Sequence, residues 1–138
     1  MIPNVLSIAG SDPSGGAGIQ ADIKAISANG AYAMAVLTAL TAQNTQGVSD
    51  IHIVPPAFVR SQIEAIFADI RVDAIKIGMI ATAEGAAAIA QSLAGQAGIP
   101  VVLDPVMIAK GGATLLQPDA VAALRDRLLP LATVLTPN

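Results

Sequence analysis

Residues Ser7 to Asp22, S-I-A-G-S-D-P-S-G-G-A-G-I-Q-A-D, limit what this chain can become more than any other stretch. An apolar run from Val5 to Ala9 leads into the loop formers Gly10 to Ser14. Gly15, Gly16 and Gly18 follow, and an amphipathic segment then begins. The order reads as strand, glycine-rich loop, helix. Glycines let a backbone approach a ligand closely, since no Cβ intervenes. The N–H groups that open a helix lack internal partners. The helix dipole makes that end weakly positive, which suits an anion or a polar small molecule. A plain strand-to-helix connection is the alternative, but it needs less glycine than stands here.

The rest of the chain alternates in the same way. A helix is expected over Ala17 to Asn29, with Ile19, Ile23 and Ile26 on one face and Gly30 as its C-terminal cap. Ala33 to Leu40 reads as a second strand ending in the polar cluster T-A-Q-N-T-Q-G. Val48 to Val54 alternates like a short edge or flap strand. Pro55 and Pro56 open a helix whose buried stripe is expected to be Phe58, Ile63, Ile66, Phe67 and Ile70. Asp73 to Gly78 is a third parallel strand with Lys76 between Ile75 and Ile77. A lysine so placed either reaches past the sheet edge or meets a charged partner. Thr82 caps an alanine-rich helix from Ala83 to Ala94, and Pro100 to Leu103 is a fourth strand. Pro118 and Asp119 begin a helix with Val121, Leu124, Leu128 and Leu129 inward, and Thr133 to Leu135 starts a last strand. This alternation predicts an α/β fold: three αβα layers around a mostly parallel sheet.

Composition narrows the function classes. At 138 residues the chain fits one domain or part of one. With aromatics limited to Tyr32, Phe58 and Phe67 and a net charge of −3, it offers neither base-stacking surfaces nor a phosphate-backbone footprint. No nucleic-acid partner is expected. The absence of cysteine removes disulfides, thiolate metal sites and a cysteine nucleophile, and it fits a cytoplasmic location. Two charge-free segments, Ala25 to Ser49 and Gly85 to Leu103, raise the membrane question. Each is interrupted by glycine, proline or amide residues before the ~20 apolar residues of a spanning helix are reached. Both read as parts of a doubly covered parallel sheet, so no membrane partner is expected.

Ligands in open α/β sheets bind outside the carboxyl ends of the strands. Those ends gather Gly10-Ser11-Asp12, Gln43-Asn44, Gly78-Met79, Asp104-Pro105-Val106 and Thr136-Pro137-Asn138. A Walker A loop is excluded because no lysine stands in the glycine loop. Gly16-Ala17-Gly18-Ile19-Gln20-Ala21 matches the G-x-G-x-x-A dinucleotide pattern. However, it does not follow the strand directly, and nothing acidic lies between Asp22 and Asp50 to hold a ribose. A dinucleotide-binding oxidoreductase is therefore the second reading, and a non-catalytic remnant the third. His52 is the single histidine, and on a short alternating strand its role reads as structural. Asp104, at a strand mouth, can hold a hard cation through water; it can equally open an Asp-Pro turn.

Together the motifs A-G-S-D-P-S-G-G-A-G-I-Q-A-D, T-A-Q-N-T, K-I-G-M, V-V-L-D-P-V-M and L-T-P-N, in that order, resemble the hydroxymethylpyrimidine and phosphomethylpyrimidine kinases of thiamin biosynthesis, in the ribokinase-like superfamily. The resemblance runs along the whole chain. It implies an ATP- and magnesium-dependent kinase that phosphorylates 4-amino-5-hydroxymethyl-2-methylpyrimidine and then its monophosphate, with pyridoxine-type molecules as related substrates. It implies that the pyrimidine lies near Ala17, Gly18 and Asp22, that Gln43 hydrogen-bonds its aminopyrimidine edge, and that Met79 and Val106 pack the ring. Asp104 would be the catalytic and magnesium-side carboxylate, and Asn138 would lie near the ATP phosphates.

Family members are nearly twice as long, and their second half carries a G-T-G-C or G-A-G-D type loop that this chain lacks. The resemblance therefore implies the N-terminal part, residues 1–138, of a single ribokinase-like kinase domain: a truncated fold and a poor catalyst alone. An exposed sheet edge and an uncovered apolar face predict self-association into a homo-oligomer.

Overall fold

The computed structural model describes residues 1–108, 111–112 and 114–137. In chain order the elements are β1 (Asn4–Ala9), α1 (Gly18–Ala28), β2 (Tyr32–Leu37), β3 (Ala39–Asn44), β4 (Gly47–Ile53), α2 (Pro56–Asp69), β5 (Ala74–Ile77), α3 (Ala83–Leu93), β6 (Val101–Leu103), α4 (Pro118–Ala123) and β7 (Val134–Leu135). Five of the strands form a parallel sheet in the order β2-β1-β5-β6-β7. The chain first builds outward from β1 to β2, then returns to the other side of β1 and builds outward again. Right-handed crossovers in opposite directions send their helices to opposite faces.

The side chains follow that rule. Leu6 and Ile8, Ile75 and Ile77, Val101 and Leu103 share one core with Val59 and Ile63 of α2, Ile89 and Leu93 of α3, and Leu124 and Leu128. Each large aliphatic side chain fully buried there contributes about 1.5–3 kcal/mol. Ser7 and Lys76, at the alternate positions, face the other way and meet α1 through Asp22. A strand alternates its faces with period two, so three αβα layers result, one of them the single helix α1. No helix among the described residues is long and apolar enough to cross a membrane.

Three expectations need correction. The strand expected over Ala33 to Leu40 is two strands. The chain leaves the parallel sheet at Thr38, whose N–H still bonds the Ala9 carbonyl at 3.0 Å and whose Oγ1 donates to the Met79 carbonyl at 2.5 Å. Most of the polar cluster beyond it belongs to β3, paired antiparallel with β4 as a separate two-stranded flap. In α2, Phe58 is 60 % exposed while Val59 is buried. In the last helix Val121 and Leu129 are exposed, and Ala120, Leu124 and Leu128 are inward. The chain winds there through a π-type turn over Leu124–Leu128 and a 3₁₀ turn over Leu129–Leu131. A wider turn keeps residues four apart on one line, which selects the 120, 124, 128 set.

Candidate functional site

In the order β2-β1-β5, the connections from β1 lead to opposite sides, so the strand order reverses between the parallel neighbours β1 and β5, and a crevice opens beyond their carboxyl ends. That is the switch point where open α/β sheets bind ligands. The cavity is about 250 Å³. Its wall contains Ala17, Gly18, Asp22, Gln43, Met79, Asp104 and Val106, the described residues that the motifs singled out, together with Lys76 and Thr41. Asn138 lies outside the described residues.

The glycine loop closes on itself through Asp12. This carboxylate is 3 % exposed. Its Oδ1 accepts from the Ser14 N–H at 2.8 Å and the Ser14 hydroxyl at 2.7 Å. Its Oδ2 accepts from the N–H groups of Gly16 at 3.0 Å and Ala17 at 2.8 Å. Burial pushes its pKa up, but the hydrogen bonds from the Ser14 side chain and the Ser14, Ala17 and Gly16 backbones outweigh burial and hold it below the ordinary value. Of the N–H groups at the opening of the helix, that of Ala17 is thus taken by the protein's own carboxylate and that of Ile19 by the Gly10 carbonyl. A pyrophosphate lying on these amides, as the dinucleotide reading requires, would have to displace both. Gln20 clamps the same loop, accepting from the Asp12 N–H at 2.8 Å and donating to the Ser11 hydroxyl at 2.7 Å.

On the crevice floor, Lys76 Nζ lies 2.9 and 3.1 Å from the two oxygens of Asp22, and Ser7 Oγ donates to Asp22 Oδ2 at 2.6 Å. Of the two fates open to the lysine, meeting a charged partner is the one realised. Ser7 and Lys76 come from neighbouring strands in register and Asp22 from the helix above them.

The flap supplies the opposite wall. Thr41 and Gln43 both point inward from β3, next to an irregularity in its pairing with β4 between Ala42 and Gln43. Such a bulge re-aims a side chain. Thr41 Oγ1 lies 2.7 Å from the Ser11 carbonyl and 3.0 Å from Gln43 Oε1. A threonine hydroxyl has one proton, and the carbonyl can only accept it. With two acceptors against one proton, the amide is better satisfied turned over, its NH₂ donating to Thr41 and its oxygen facing the crevice; amide orientation follows from the network. Below the flap, Met79, Ala39 and Ala81 form a second apolar cluster with Val106 and Leu115 against it. The Met79 side chain occupies the space a Cβ on Gly10 would need.

Asp104 ends β6, its N–H bonded to the Ile77 carbonyl at 2.8 Å. Its Oδ1 is buried and, among the described residues, has no hydrogen-bond partner. His52 is exposed on the outer part of the flap and does not line the crevice. The roles of Asp12 and Thr41 escaped the sequence reading. The Asp-Pro-Ser-Gly run around Asp12 carries a turn signal of the kind in which aspartate bonds its own backbone; nothing comparable marks Thr41.

An α/β chain with its cavity at the switch point, lined by both polar and apolar groups, is a member of the three-layer αβα class, of ribokinase-like fold. Phosphomethylpyrimidine kinase is the family whose model matches residues 12–138, and the chain belongs to that family. It is 53 % identical over 135 residues to the hydroxymethylpyrimidine/phosphomethylpyrimidine kinase of Escherichia coli K12, covering 98 % of this chain and 51 % of that protein. It is 57 % identical over 135 residues to the thiamine biosynthesis bifunctional protein ThiED of Geobacter sulfurreducens, covering 98 % of this chain and 28 % of the relative. The crystal structure of phosphomethylpyrimidine kinase from Clostridium difficile 630 superposes with a TM-score of 0.92 at 48 % identity, over 99 % of this chain and 59 % of that one. A pyridoxal kinase from Staphylococcus aureus in complex with AMP-PCP and pyridoxal superposes with a TM-score of 0.85 at 35 % identity, over 100 % of this chain and 49 % of that one. The chain thus spans about half the length, or less, of the curated relatives it matches.

Proposed function

We propose that the crevice binds 4-amino-5-hydroxymethyl-2-methylpyrimidine or its monophosphate, and that the protein serves ATP-dependent phosphorylation of that pyrimidine in thiamine biosynthesis. The single observation that carries this reading is the convergence of Gly18, Asp22, Gln43, Met79, Asp104 and Val106 on one cavity of about 250 Å³, in a chain that belongs to the phosphomethylpyrimidine kinase family.

The roles follow from the chemistry of each group. The Gln43 amide oxygen accepts from the exocyclic amino group. Met79 and Val106 sandwich the flat ring between polarizable and branched apolar surfaces. Ala17 and Gly18, lacking bulk, let the ring lie against the loop. Asp22 accepts from a donor on the ring edge or from its hydroxyl. Asp104 is the candidate catalytic carboxylate. Its buried, unpartnered Oδ1 fits a magnesium ion, which keeps most of its waters and needs only one or two carboxylates beside the nucleotide phosphates. Among the described residues no cluster of three or more metal-ligating side chains exists, consistent with Asp104 acting through water rather than within a protein cage. Magnesium and ATP, when bound, supply the phosphoryl group and neutralise the charge that develops as it passes to the hydroxyl oxygen. Asn138 is proposed to lie on the nucleotide side.

Titration calorimetry tests this reading. The 138-residue chain is expected to bind the pyrimidine and to give no heat with NAD. Heat with NAD and none with the pyrimidine would replace it with the dinucleotide reading, and heat with neither with a non-catalytic remnant.

A further inference from the structure

Lys76 is the residue whose presence the fold does not explain. It stands in β5, the middle strand of the parallel sheet, between Ile75 and Ile77, which are 1 % and 0 % exposed. Its side chain is 25 % exposed and that of Asp22 18 %. Drawing both charges out of water is costly, and well-packed hydrophobic side chains in place of such a pair are often neutral or stabilising. A methionine at position 76 would serve the sheet as well. A Cβ on Gly78 would stand 2.8 Å from Lys76 Nζ and 3.0 Å from the Ala9 Cβ.

What the ammonium does is hold Asp22. An ionised carboxylate has about four acceptor positions. Two Lys76 contacts and the Ser7 hydroxyl take three, and the carboxylate lines the crevice. Resting on the pyrimidine reading above, we propose that Lys76 is a positioning residue: it fixes Asp22 so that its remaining lone pair meets an N–H or O–H donor of the bound heterocycle. The pair thereby sets specificity. A ring presenting a donor at that edge is accepted, and one presenting only a carbonyl or carboxylate faces an acceptor with nothing to share. Lys76 does not itself touch the ligand in this scheme, so its effect must run through Asp22.

The test is a double-mutant cycle read by calorimetry with 4-amino-5-hydroxymethyl-2-methylpyrimidine. Lys76→Met and Asp22→Asn are each expected to weaken binding roughly tenfold or more, the scale of a lost charge-assisted bond, and the double variant to bind no more weakly than Asp22→Asn alone. Losses that multiply, or a Lys76→Met chain that binds like the unsubstituted one, overturn the proposal. A second measurement needs no folded variant: in the ¹⁵N-labelled unsubstituted chain, the Lys76 ammonium resonance is expected to shift when the pyrimidine saturates the crevice, as Asp22 takes on a further donor. No shift at saturation overturns the role. An unsubstituted chain that fails to bind the pyrimidine rejects the functional reading and this role together, an outcome distinct from binding that is indifferent to Lys76.

Discussion

Gly18 lies against the carbonyl of Gly10 so closely that a Cβ built on it overlaps that oxygen. The contact ties the start of α1 to the end of β1, and the next residue confirms the closure, with the Ile19 N–H bonded to the same carbonyl at 2.9 Å. Gly18 also holds φ at +57°, a conformation that costs a residue with a Cβ about 1–2 kcal/mol. Steric overlap with a fixed backbone atom adds to that. Gly18→Ala is expected to lose at least about 2 kcal/mol and to weaken pyrimidine binding, because the loop must shift to admit the methyl group. Urea unfolding followed by circular dichroism measures the first. A variant as stable as the parent would mean that the loop tolerates a wider opening.

Asp12 gives the loop an acid-sensitive staple. Its native pKa lies below the ordinary carboxylate value, so the unfolded chain binds a proton more readily than the folded one. Stability from this group is fully present above the ordinary range and is lost as pH falls through it toward the native value. Melting temperature is expected to drop below about pH 4, with part of the slope absent in Asp12→Asn. At neutral pH that variant is expected to lose about 2–3 kcal/mol, since an amide group cannot accept from the Ser14, Gly16 and Ala17 N–H groups together. Parallel acid slopes for parent and variant would remove Asp12 from the account.

The strands show where sequence was a good guide. The apolar runs of β1, β5 and β6 are legible because a strand buried on both faces leaves no alternation to misread, and glycine or proline bounds each one. Gly18 was expected to let the backbone approach a ligand, and the close approach the structure shows is to the Gly10 carbonyl. Of the flap, the alternating Val48 to Val54 was legible as the strand that is β4, but its partner was not: T-A-Q-N-T lacks an apolar face, and β3 is held by its pairing with β4 rather than by burial. Phe58 misled because aromatic bulk suggests the core, while the helix start at Pro56 sets the phase and brings Val59 and Ile63 inward instead. The Ser7–Asp22–Lys76 cluster joins positions 15 and 54 residues apart. Only the parallel register of β1 and β5 makes them neighbours.

Ala81 is the non-glycine residue, among those described, with a positive φ, 66°. The Thr82 N–H reaches back across it to the Ile80 carbonyl at 2.8 Å, a tight and strained turn. It is 2 % exposed and belongs to the apolar cluster with Met79. Two effects oppose each other on replacement by glycine. Relief of strain contributes about 1–2 kcal/mol, while loss of a buried methyl costs about 0.8 kcal/mol and added unfolded-state freedom about 0.4–1 kcal/mol. Ala81→Gly is therefore expected to change stability by less than about 1 kcal/mol, and Ala81→Val, β-branched at a left-handed position, to cost more than about 2 kcal/mol. Thermal unfolding of both decides; a glycine variant destabilised as much as the valine one would show that the methyl contact, not the strain, governs the turn.

Gln43 carries the sharpest test of the crevice's polarity. Its Oε1 lies 3.0 Å from Thr41 Oγ1, whose one proton is committed to the Ser11 carbonyl; turned over, the amide donates to Thr41 and presents its oxygen to the ligand. Gln43→Ala is expected to weaken binding of the aminopyrimidine about tenfold, the loss of one good hydrogen bond of about 1.4 kcal/mol. Thr41→Val removes the group that orients the amide without touching the ligand, and the freed amide can then turn either oxygen or NH₂ to the crevice. That variant is expected to lose only part of the affinity for the aminopyrimidine while narrowing the preference over an analogue with a 4-oxo group, which presents an acceptor at the same edge. Calorimetry with the two ligands against the three proteins measures both effects. Unchanged preference in Thr41→Val would mean that the Gln43 amide orients itself without Thr41.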